Sequence, residues 1–433
     1  MGGFSFFTAM FPLDFAGLSL LESLGVLAAA AILLPLFQSF TLSLSVFPLS
    51  FWHKHRREVL FPLSFSLALT LFFLLQNFTW AGVPWALPCL SLVCRPVLIQ
   101  SASLFGSGFL TLLMFLCNAL LGEALLRLPR CNGSSLLSFS LAVLLFGGNL
   151  LFGFLALSCR EENTETLTVA ALQADISSTR QSHIPTSRIV SVNCDLAELA
   201  DEENREAIPR TVTHTHCVNL VGAYTLSGDA YYNALFLFDD TGNLSPKAYH
   251  KRKPVPFGEY LPMRSLFSLF APALTEINML EREVTPGTDA APLQTPFCRV
   301  GCLICFDSLY PALARADVKS GADFLAVSTN DSWFDGSFAK KLHFSHTVLR
   351  AVETGRYALR AGNTGLSGIV SDKGEVVALS SPDERTYVAG EISLCKRTTL
   401  YTLLGDVPLY ASFAVYTLLS GISNRKKRKE RLV

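Results

Sequence analysis

Charged residues are scarce in this chain of 433 residues: they make up 16% of it, whereas half of the residues are hydrophobic. A soluble protein usually carries about a quarter charged residues, so the composition disfavours a wholly soluble chain. Net charge is absent too, because 35 basic side chains balance 35 acidic ones. We therefore expect no overall attraction to nucleic acid. The opening segment Met1–Met10 has no basic residue, so we expect no cleaved signal peptide.

The cysteines do not form the pattern of a disulfide framework. There are eleven, an odd number scattered through apolar surroundings, where a cysteine usually serves as a small buried hydrophobic residue. Cys302 and Cys305 form a C-x-x-C pair, but they lie in the strand-like run Val300–Phe306. A zinc knuckle would need a turn there, so we predict no metal site.

Long uncharged runs dominate the first third of the chain. A helix of about 20 residues crosses the ~30 Å hydrocarbon layer of a membrane, and only helices satisfy their own backbone groups there. The runs are Ser23–Trp52, Val59–Thr79, Ala102–Gly122 and Leu136–Ser158, with a last one near Val407–Ile422 and a weaker one, Phe4–Leu21, interrupted by Asp14. We therefore predict six crossings, with too few ionisable residues for a transporter path.

The positive residues between these runs indicate the orientation. They are His53–Arg57, Arg127 with Arg130, and Asn424–Lys429. Positive loops stay in the cytoplasm, which places the long segment Arg160–Arg397 outside it. The terminal basic cluster allows a nucleic-acid interpretation, but a stop-transfer anchor explains it without a further partner.

The segment after the first membrane runs has a soluble composition and mixes strands with helices. Strand-like runs are Leu167–Gln173, Ala234–Phe238, Arg299–Phe306 and Phe324–Ser328; Lys340–Ala361 has the charge spacing of a helix with one wet face; Ser367–Val370 and Glu375–Ala378 form a hairpin pattern. This mixture predicts an α/β layered domain. We divide the chain into a membrane region at 1–158, this domain at 159–397, a last membrane helix at 398–423 and a basic tail at 424–433.

Three short islands in this domain carry chemistry. Tyr249–Pro262 joins three cations to a rigid Pro-Val-Pro turn and a carboxylate, Val300–Asp307 runs from a strand into a cysteine and an acid, and Ser328–Phe334 is a polar turn after a strand. Each has an ordinary alternative: a solvated basic loop, a buried structural cysteine, and a capping turn. His343 and His346 have helical spacing for a metal, but surface or packing histidines are the commoner case.

In combination these islands resemble the nitrilase superfamily, and most closely its membrane branch, the apolipoprotein N-acyltransferases. Lys251 precedes a V-P-F-G-E-x-x-P loop at Val255–Pro262, Cys305-Phe306-Asp307 is similar to a C-Y-E triplet, and Thr329–Phe334 is similar to an N-D-x-W-F turn. Further matches are Arg360–Gly365, the Trp80–Trp85 loop and the Thr399–Asp406 stretch. The resemblance covers most of residues 60–422.

The resemblance implies a nitrilase-like αββα sandwich outside the cytoplasm, attached to an inner membrane. It implies that Cys305 is an acyl-accepting nucleophile, that Lys251 stabilises the oxyanion, and that Glu259 holds this lysine. Phe306 would add a backbone N–H donor, and Asp307, shorter by a methylene than the family's Glu, would make a looser supporting contact. The implied partners are a phospholipid acyl donor and a diacylglyceryl-apolipoprotein acceptor, with no cofactor.

Two features depart from the family pattern. The W-P-E or F-P-E motif that carries the general base is missing, since about 48 residues separate Gln173 from Gly222 and none forms that strand. Glu198, Glu202 and Glu203 lie there in a polar run and are weak candidates for the base. The membrane region also looks shorter than the family's. Two alternatives therefore stay open: a membrane-tethered amidase of small carbon–nitrogen substrates, and a non-catalytic lipid-binding homologue.

Overall fold

The computed structural model describes residues 11, 13, 19–53, 61–78, 84–128, 133–159, 165–176, 191–193, 195–196, 217–270 and 282–417. Several predictions lie outside these residues: the weak first span, the basic segments 54–57 and 424–429, and the candidate bases Glu198, Glu202 and Glu203.

The amino-terminal region is helical. Its helices are α1 (Leu20–His53), α2 (Phe61–Leu75), the short α3 (Pro96–Ile99), α4 (Ala102–Arg127) and α5 (Gly133–Ser158). Among the described residues, α1, α4 and α5 are long and apolar enough to cross a membrane, and many of their leucines and phenylalanines point outward. Helix α2 has 15 residues, about 22 Å of helix. Residues 407–417, inside the predicted last span, are also helical.

The second region is built around a six-stranded sheet with the order β10-β9-β8-β7-β6-β5. Its strands are β5 (Leu293–Gln294), β6 (Arg299–Ile304), β7 (Phe324–Thr329), β8 (Ala358–Gly362), β9 (Gly368–Val370) and β10 (Val376–Leu379). Strands β6, β7 and β8 are parallel neighbours, so their carboxyl ends meet at one edge. The predicted hairpin is confirmed as the antiparallel pair β9–β10.

Two smaller antiparallel sheets face this one. One pairs β1 (Thr166–Gln173) with β11 (Thr386–Ser393), and the other has the order β2-β3-β4, formed by Asn219–Ser227, Ala230–Phe238 and Leu244–His250. Their inner side chains, among them Leu235, Leu237 and Ile392, share one apolar core with Val300, Ile304 and Phe324 of the large sheet. The predicted strand-like runs are therefore confirmed, and the two sheet layers form a sandwich.

The short helix α6 (Arg264–Phe270) follows β4 in the chain. Helices α7 (Pro311–Lys319) and α8 (Ala339–Thr354) cover the other face of the large sheet. The core beneath them joins Leu349 and Val352 of α8 to Leu325 and Val327 of β7, and it also takes in Leu110 of α4. Helix α8 therefore lies between the sheet and a membrane helix and is buried along almost its whole length. The prediction of a wet face is wrong, because polar side chains of this helix form buried hydrogen bonds instead.

The predicted helix Lys340–Ala361 also ends early. Helix α8 stops at Gly355, which has a left-handed φ of 63°, a conformation that glycine adopts without steric cost. The chain then reverses into strand β8, so Arg360 belongs to the sheet and not to the helix.

A buried polar contact joins the membrane region to the domain. The carboxylate of Glu353 on α8 accepts a hydrogen bond from the backbone N–H of Ser107 at 2.8 Å, and Arg350 pairs with the same carboxylate at 2.7 Å. Both charged side chains are fully buried. Gly106, just before Ser107, has a φ of 78° inside α4, and the ring of Tyr401 occupies the place of a Cβ there. The kink in α4 thus frees the N–H that Glu353 binds.

Candidate active site

Cys305 lies where β6 ends and a 3-10 turn, Cys305–Leu309, begins. Its φ is 48°, an uncommon conformation for a residue with a Cβ. The sharp reversal holds the half-buried thiol at the carboxyl edge of the sheet. Two side chains fix the peptide: Ser308 donates from Oγ to the Cys305 carbonyl at 2.7 Å, and Nε2 of His343 lies 3.1 Å from the same oxygen.

Lys251 follows β4 and is 1% exposed. Its Nζ donates to Oε2 of Glu259 at 2.6 Å. Glu259 is held in turn by the side-chain amide of Asn233 at 3.0 Å and by the backbone N–H of Val255 at 2.7 Å. The expected contact between Glu259 and Lys251 is therefore present.

Asp307 is more firmly held than the sequence predicts. It is fully buried, and the Tyr249 hydroxyl donates to it at 2.6 Å. The backbone N–H groups of Lys253, Ile304 and Arg252 donate to it at 2.7, 3.1 and 3.4 Å. The expectation of a loose contact is wrong, because the shorter side chain reaches backbone donors from both the β4 loop and β6. Asp307 thereby connects the loop after β4, which contains Lys251, to the cysteine turn, Cys305–Leu309.

The Cys305 thiol and the Lys251 ammonium influence each other. Burial raises the pKa of the Cys305 thiol, while the Lys251 charge and a hydrogen bond with the Thr329 side chain act to lower it. Burial by itself lowers the pKa of Lys251, but the charges of Glu259, Cys305 and Asp307 outweigh it and raise that pKa above its ordinary value. The lysine therefore stays an ammonium beside the thiol.

A second polar group, which we did not predict, lies within 4.8 Å of the Cys305 sulfur. Thr329 donates from Oγ1 to Oδ1 of Asp331 at 2.8 Å, and Nδ1 of His343 lies 2.8 Å from the same oxygen. Nη2 of Arg360 donates to Oδ2 of Asp331 at 2.8 Å and lies 2.9 Å from Nδ1 of His343. Asp331, His343 and Arg360 are all fully buried. The polar turn after β7 and the arginine of the R-x-x-N-x-G segment were sequence signals for this group.

The histidines on α8 are not surface residues. His343 joins the group just described, and Nε2 of His346 lies 2.9 Å from the carbonyl of Trp85. Donor atoms of Cys305, Asp331 and His343 lie within 4.8 Å of one another, a spacing compatible with a metal ion. However, Arg360 contacts both Asp331 and His343, so a cation there would meet a fixed positive charge. We therefore treat these residues as a hydrogen-bonded ion-pair group.

Cys302 provides a contrast to Cys305. It lies within β6, is 2% exposed, and belongs to the apolar core between the sheets. Burial raises the pKa of its thiol. The side chain of Phe306, next to Cys305, is also buried and packs against Tyr310. The two cysteines of the C-x-x-C pair thus have different surroundings, and Cys305 is the one beside the lysine.

This arrangement agrees with the match to known families. The sequence pattern of the family described as "Carbon-nitrogen hydrolase" matches residues 194–400. The carboxyl-terminal region carries a carbon-nitrogen hydrolase domain. This nitrilase-type catalytic fold follows the three long apolar helices of the amino-terminal region.

Proteins named apolipoprotein N-acyltransferase are similar to this hydrolase domain. The one from Geobacter metallireducens is 34% identical over 197 residues, which are 46% of this chain and 37% of the relative. The one from Gloeobacter violaceus is 37% identical over 185 residues, 42% of this chain and 35% of the relative. The chain therefore spans little more than a third of the length of these curated relatives.

The solved structures are more distant. Saccharomyces cerevisiae Nit3, a member of branch 10 of the nitrilase superfamily, has 14% identity and a TM-score of 0.39, covering 55% of this chain and 93% of that one. A carbon-nitrogen hydrolase from Helicobacter pylori has 18% identity and a TM-score of 0.30, covering 46% and 69%.

Proposed function

We propose that this protein transfers a fatty acyl chain from a phospholipid to the α-amine of the amino-terminal S-diacylglyceryl cysteine of apolipoproteins, through a thioester on Cys305. The proposal rests on one observation above all: Cys305 leaves its strand at a positive φ within the field of the buried Lys251–Glu259 pair. The names of the relatives support N-acylation of an apolipoprotein.

The membrane helices support lipid substrates for this site. Helix α4 packs on the same helix, α8, that carries His343 to the cysteine turn. A domain mounted directly on a membrane helix has ready access to acyl chains in the bilayer. With the basic loops in the cytoplasm, the hydrolase domain lies at the outer face of the inner membrane.

The first half of the proposed reaction loads the enzyme. The Cys305 sulfur attacks the sn-1 ester carbonyl, and the developing oxyanion is stabilised by the Lys251 ammonium and by the backbone N–H of Phe306. The ester C–O bond then breaks, and the alkoxide takes up the proton that the thiol released. The products are a lyso-phospholipid and the Cys305 thioester. Glu259 keeps Lys251 ionised and in place.

The second half transfers the acyl group. The α-amine of the diacylglyceryl cysteine attacks the thioester carbonyl, loses a proton to the enzyme and forms an amide. The C–S bond breaks, and the released thiolate is reprotonated. Covalent transfer through a thiol replaces one difficult step by two easier ones.

A labelled phospholipid tests the proposal. Full-length protein in detergent is incubated with a phospholipid carrying a fluorescent sn-1 chain, and both acyl-protein and lyso-phospholipid are measured. We expect wild-type protein and Cys302→Ala to form a hydroxylamine-sensitive adduct, and Cys305→Ala to form none. Loss of the adduct in Cys302→Ala but not in Cys305→Ala would move the nucleophile.

A non-catalytic lipid-binding protein is the second candidate, and the missing W-P-E motif favours it. Folded wild-type protein that binds the labelled lipid and forms no adduct would establish that alternative. If the protein instead hydrolyses a small amide and releases no lyso-phospholipid, a membrane-tethered amidase is the correct assignment.

A further inference from the structure

The proposed reaction needs a group that accepts the thiol proton, and the family motif that carries such a carboxylate is missing here. We propose that His343 takes this role: it accepts the proton of Cys305 through the hydroxyl of Thr329 and the carboxylate of Asp331. This inference assumes the acyl transfer proposed above, but the contacts that support it are different ones.

The first argument is a continuous hydrogen-bonded path. The Cys305 sulfur lies within 4.8 Å of a carboxylate oxygen of Asp331 and of a ring nitrogen of His343, and interaction with the Thr329 side chain acts to lower the pKa of its thiol. Thr329 donates to Oδ1 of Asp331 at 2.8 Å. The same carboxylate oxygen lies 2.8 Å from Nδ1 of His343. A proton can therefore leave sulfur for Oγ1 of Thr329 while the threonine proton passes to Asp331 and on to Nδ1.

The second argument is that Nδ1 of His343 has a partner in each protonation state. When the ring is neutral with its proton on Nε2, Arg360 can donate from Nη2 to Nδ1 at 2.9 Å. When the ring is an imidazolium, Nδ1–H can donate to Oδ1 of Asp331 at 2.8 Å. A fully buried polar group that lacks a partner costs about 1–3 kcal/mol. A site with alternative partners avoids that cost before and after proton uptake.

The other ring nitrogen is suited to the same purpose. In both states Nε2–H can donate to the Cys305 carbonyl, 3.1 Å away. This contact keeps the ring at the nucleophile's own peptide and favours a proton on Nε2 in the neutral form; Oγ of Ser308, 3.2 Å away, is a second neighbour of that nitrogen. The Cys305 turn thus supports the neutral tautomer that the relay needs.

The charges around His343 come from several elements. Asp331 follows β7, Arg360 lies on β8, Cys305 follows β6, and Arg350 and His346 share α8 with it. Burial and the Arg360 charge lower the pKa of His343, whereas Asp331 raises it. The ring is therefore neutral at pH 7 and able to receive a proton.

The proton balance of the transfer is complete with these residues. During acylation the S–H bond breaks, the S–C bond forms, and the proton resides on Nδ1 of His343 until the leaving alkoxide takes it. During transfer to the amine, the N–H proton moves to His343 and then returns to the departing Cys305 thiolate. Asp331 is a carboxylate at the beginning and at the end.

The test uses four variants of the full-length protein. His343→Gln retains a donor for the Cys305 carbonyl but cannot take up a proton. His346→Gln is the matched control, because this histidine is equally buried on the same helix but its Nε2 lies at the carbonyl of Trp85 and not at that of Cys305. Thr329→Val interrupts the path, and Thr329→Ser preserves its hydroxyl.

Two readouts are followed between pH 5.5 and 9. One is the rate of iodoacetamide alkylation at Cys305, resolved by peptide mass spectrometry, and the other is the acyl-enzyme rate with labelled phospholipid. We expect His343→Gln and Thr329→Val to lose about 10²–10⁴-fold in acylation rate at pH 7 and to shift the alkylation profile to higher pH. His346→Gln should retain the wild-type profile, and Thr329→Ser should recover the acylation that Thr329→Val loses.

The outcomes separate this inference from the proposed function. A wild-type protein that forms no acyl-enzyme contradicts the acyl transfer, while the alkylation profiles still decide whether His343 receives the proton. Profiles of Thr329→Val and His343→Gln that overlie the wild type overturn the inference. If His343→Gln shows no unfolding transition, the comparison of Thr329→Val with Thr329→Ser decides the question.

Discussion

Replacing Glu259 by Gln should destabilise the protein far more than the same replacement at Glu283. Lys251 and Glu259 form a pair whose side chains are 1% and 10% exposed, whereas Arg264 and Glu283 are 41% and 38% exposed. Removing one partner of a buried pair leaves a charge without compensation and costs about 3–5 kcal/mol. Exposed pairs contribute about 0–1 kcal/mol.

The pH dependence of the Glu259→Gln effect has a definite sign. The pKa of Lys251 is raised above its ordinary value of 10.5, so the folded state binds this proton more tightly than the unfolded state. The stabilisation is therefore fully present below about pH 10.5 and is lost as the pH rises through the higher folded value. Without Glu259, one of the charges that oppose the effect of burial is gone, so the lysine pKa falls from its wild-type value.

Thermal unfolding followed by tryptophan fluorescence in detergent is a suitable assay for both variants. About 3–5 kcal/mol corresponds to a decrease in Tm of roughly 6–20 °C for a domain of this size, against at most a few degrees for Glu283→Gln. Glu259→Gln should also form acyl-enzyme more slowly than Glu283→Gln. Equal Tm values for the two variants would show that the Lys251 charge is solvated and would contradict a buried Lys251–Glu259 pair.

Further predictions concern the supports of the site and its helix. Asp307→Ala leaves one hydroxyl and three backbone N–H groups without their acceptor, and we expect a loss of at least about 3 kcal/mol, measured by chemical denaturation, with Asp307→Asn losing less. Burial lowers the pKa of His346 well below 6.5, so below that pH the unfolded chain binds a proton that the folded chain does not. The free energy of unfolding should therefore fall by up to about 1.4 kcal/mol for each unit of decreasing pH. His346→Gln should flatten this slope between pH 6.5 and 5, and an unchanged slope would contradict a buried, neutral His346. Gly355→Ala forces a side chain into a left-handed φ and places its Cβ 2.9 Å from Thr399, so Tm should decrease, whereas an unchanged Tm would mean that the end of α8 adjusts freely.

The local patterns of the sequence predicted the strands and the site loops well, because buried strands and proline-glycine turns depend on near neighbours. The runs around Leu167, Phe324 and Ser367 all form strands as expected. The motifs also placed Lys251, Glu259 and Cys305 together. These residues meet because their motifs follow strands of the αββα sandwich that the resemblance implies.

The errors arose where distant parts of the chain meet. The polar spacing of Lys340–Ala361 indicated a wet helix face, but α4 covers that face, and Gly355 ends the helix where periodicity alone showed no break. His343 looked like an ordinary helical histidine because its partners come from other elements: Asp331 follows β7, and Arg360 lies on β8. The predicted looseness of Asp307 failed for the same reason, since its donors come from another loop.

The contact between Ser107 and Glu353 has a practical consequence for anyone wishing to produce the hydrolase domain alone. An excised fragment that begins at β1 would lack α4, which supplies the N–H for a fully buried carboxylate and part of the apolar core above β7. The carboxylate and the apolar core would then be exposed to water on a broad hydrophobic surface. Such a fragment should aggregate or require detergent, and purification strategies for this protein should keep the membrane helices attached.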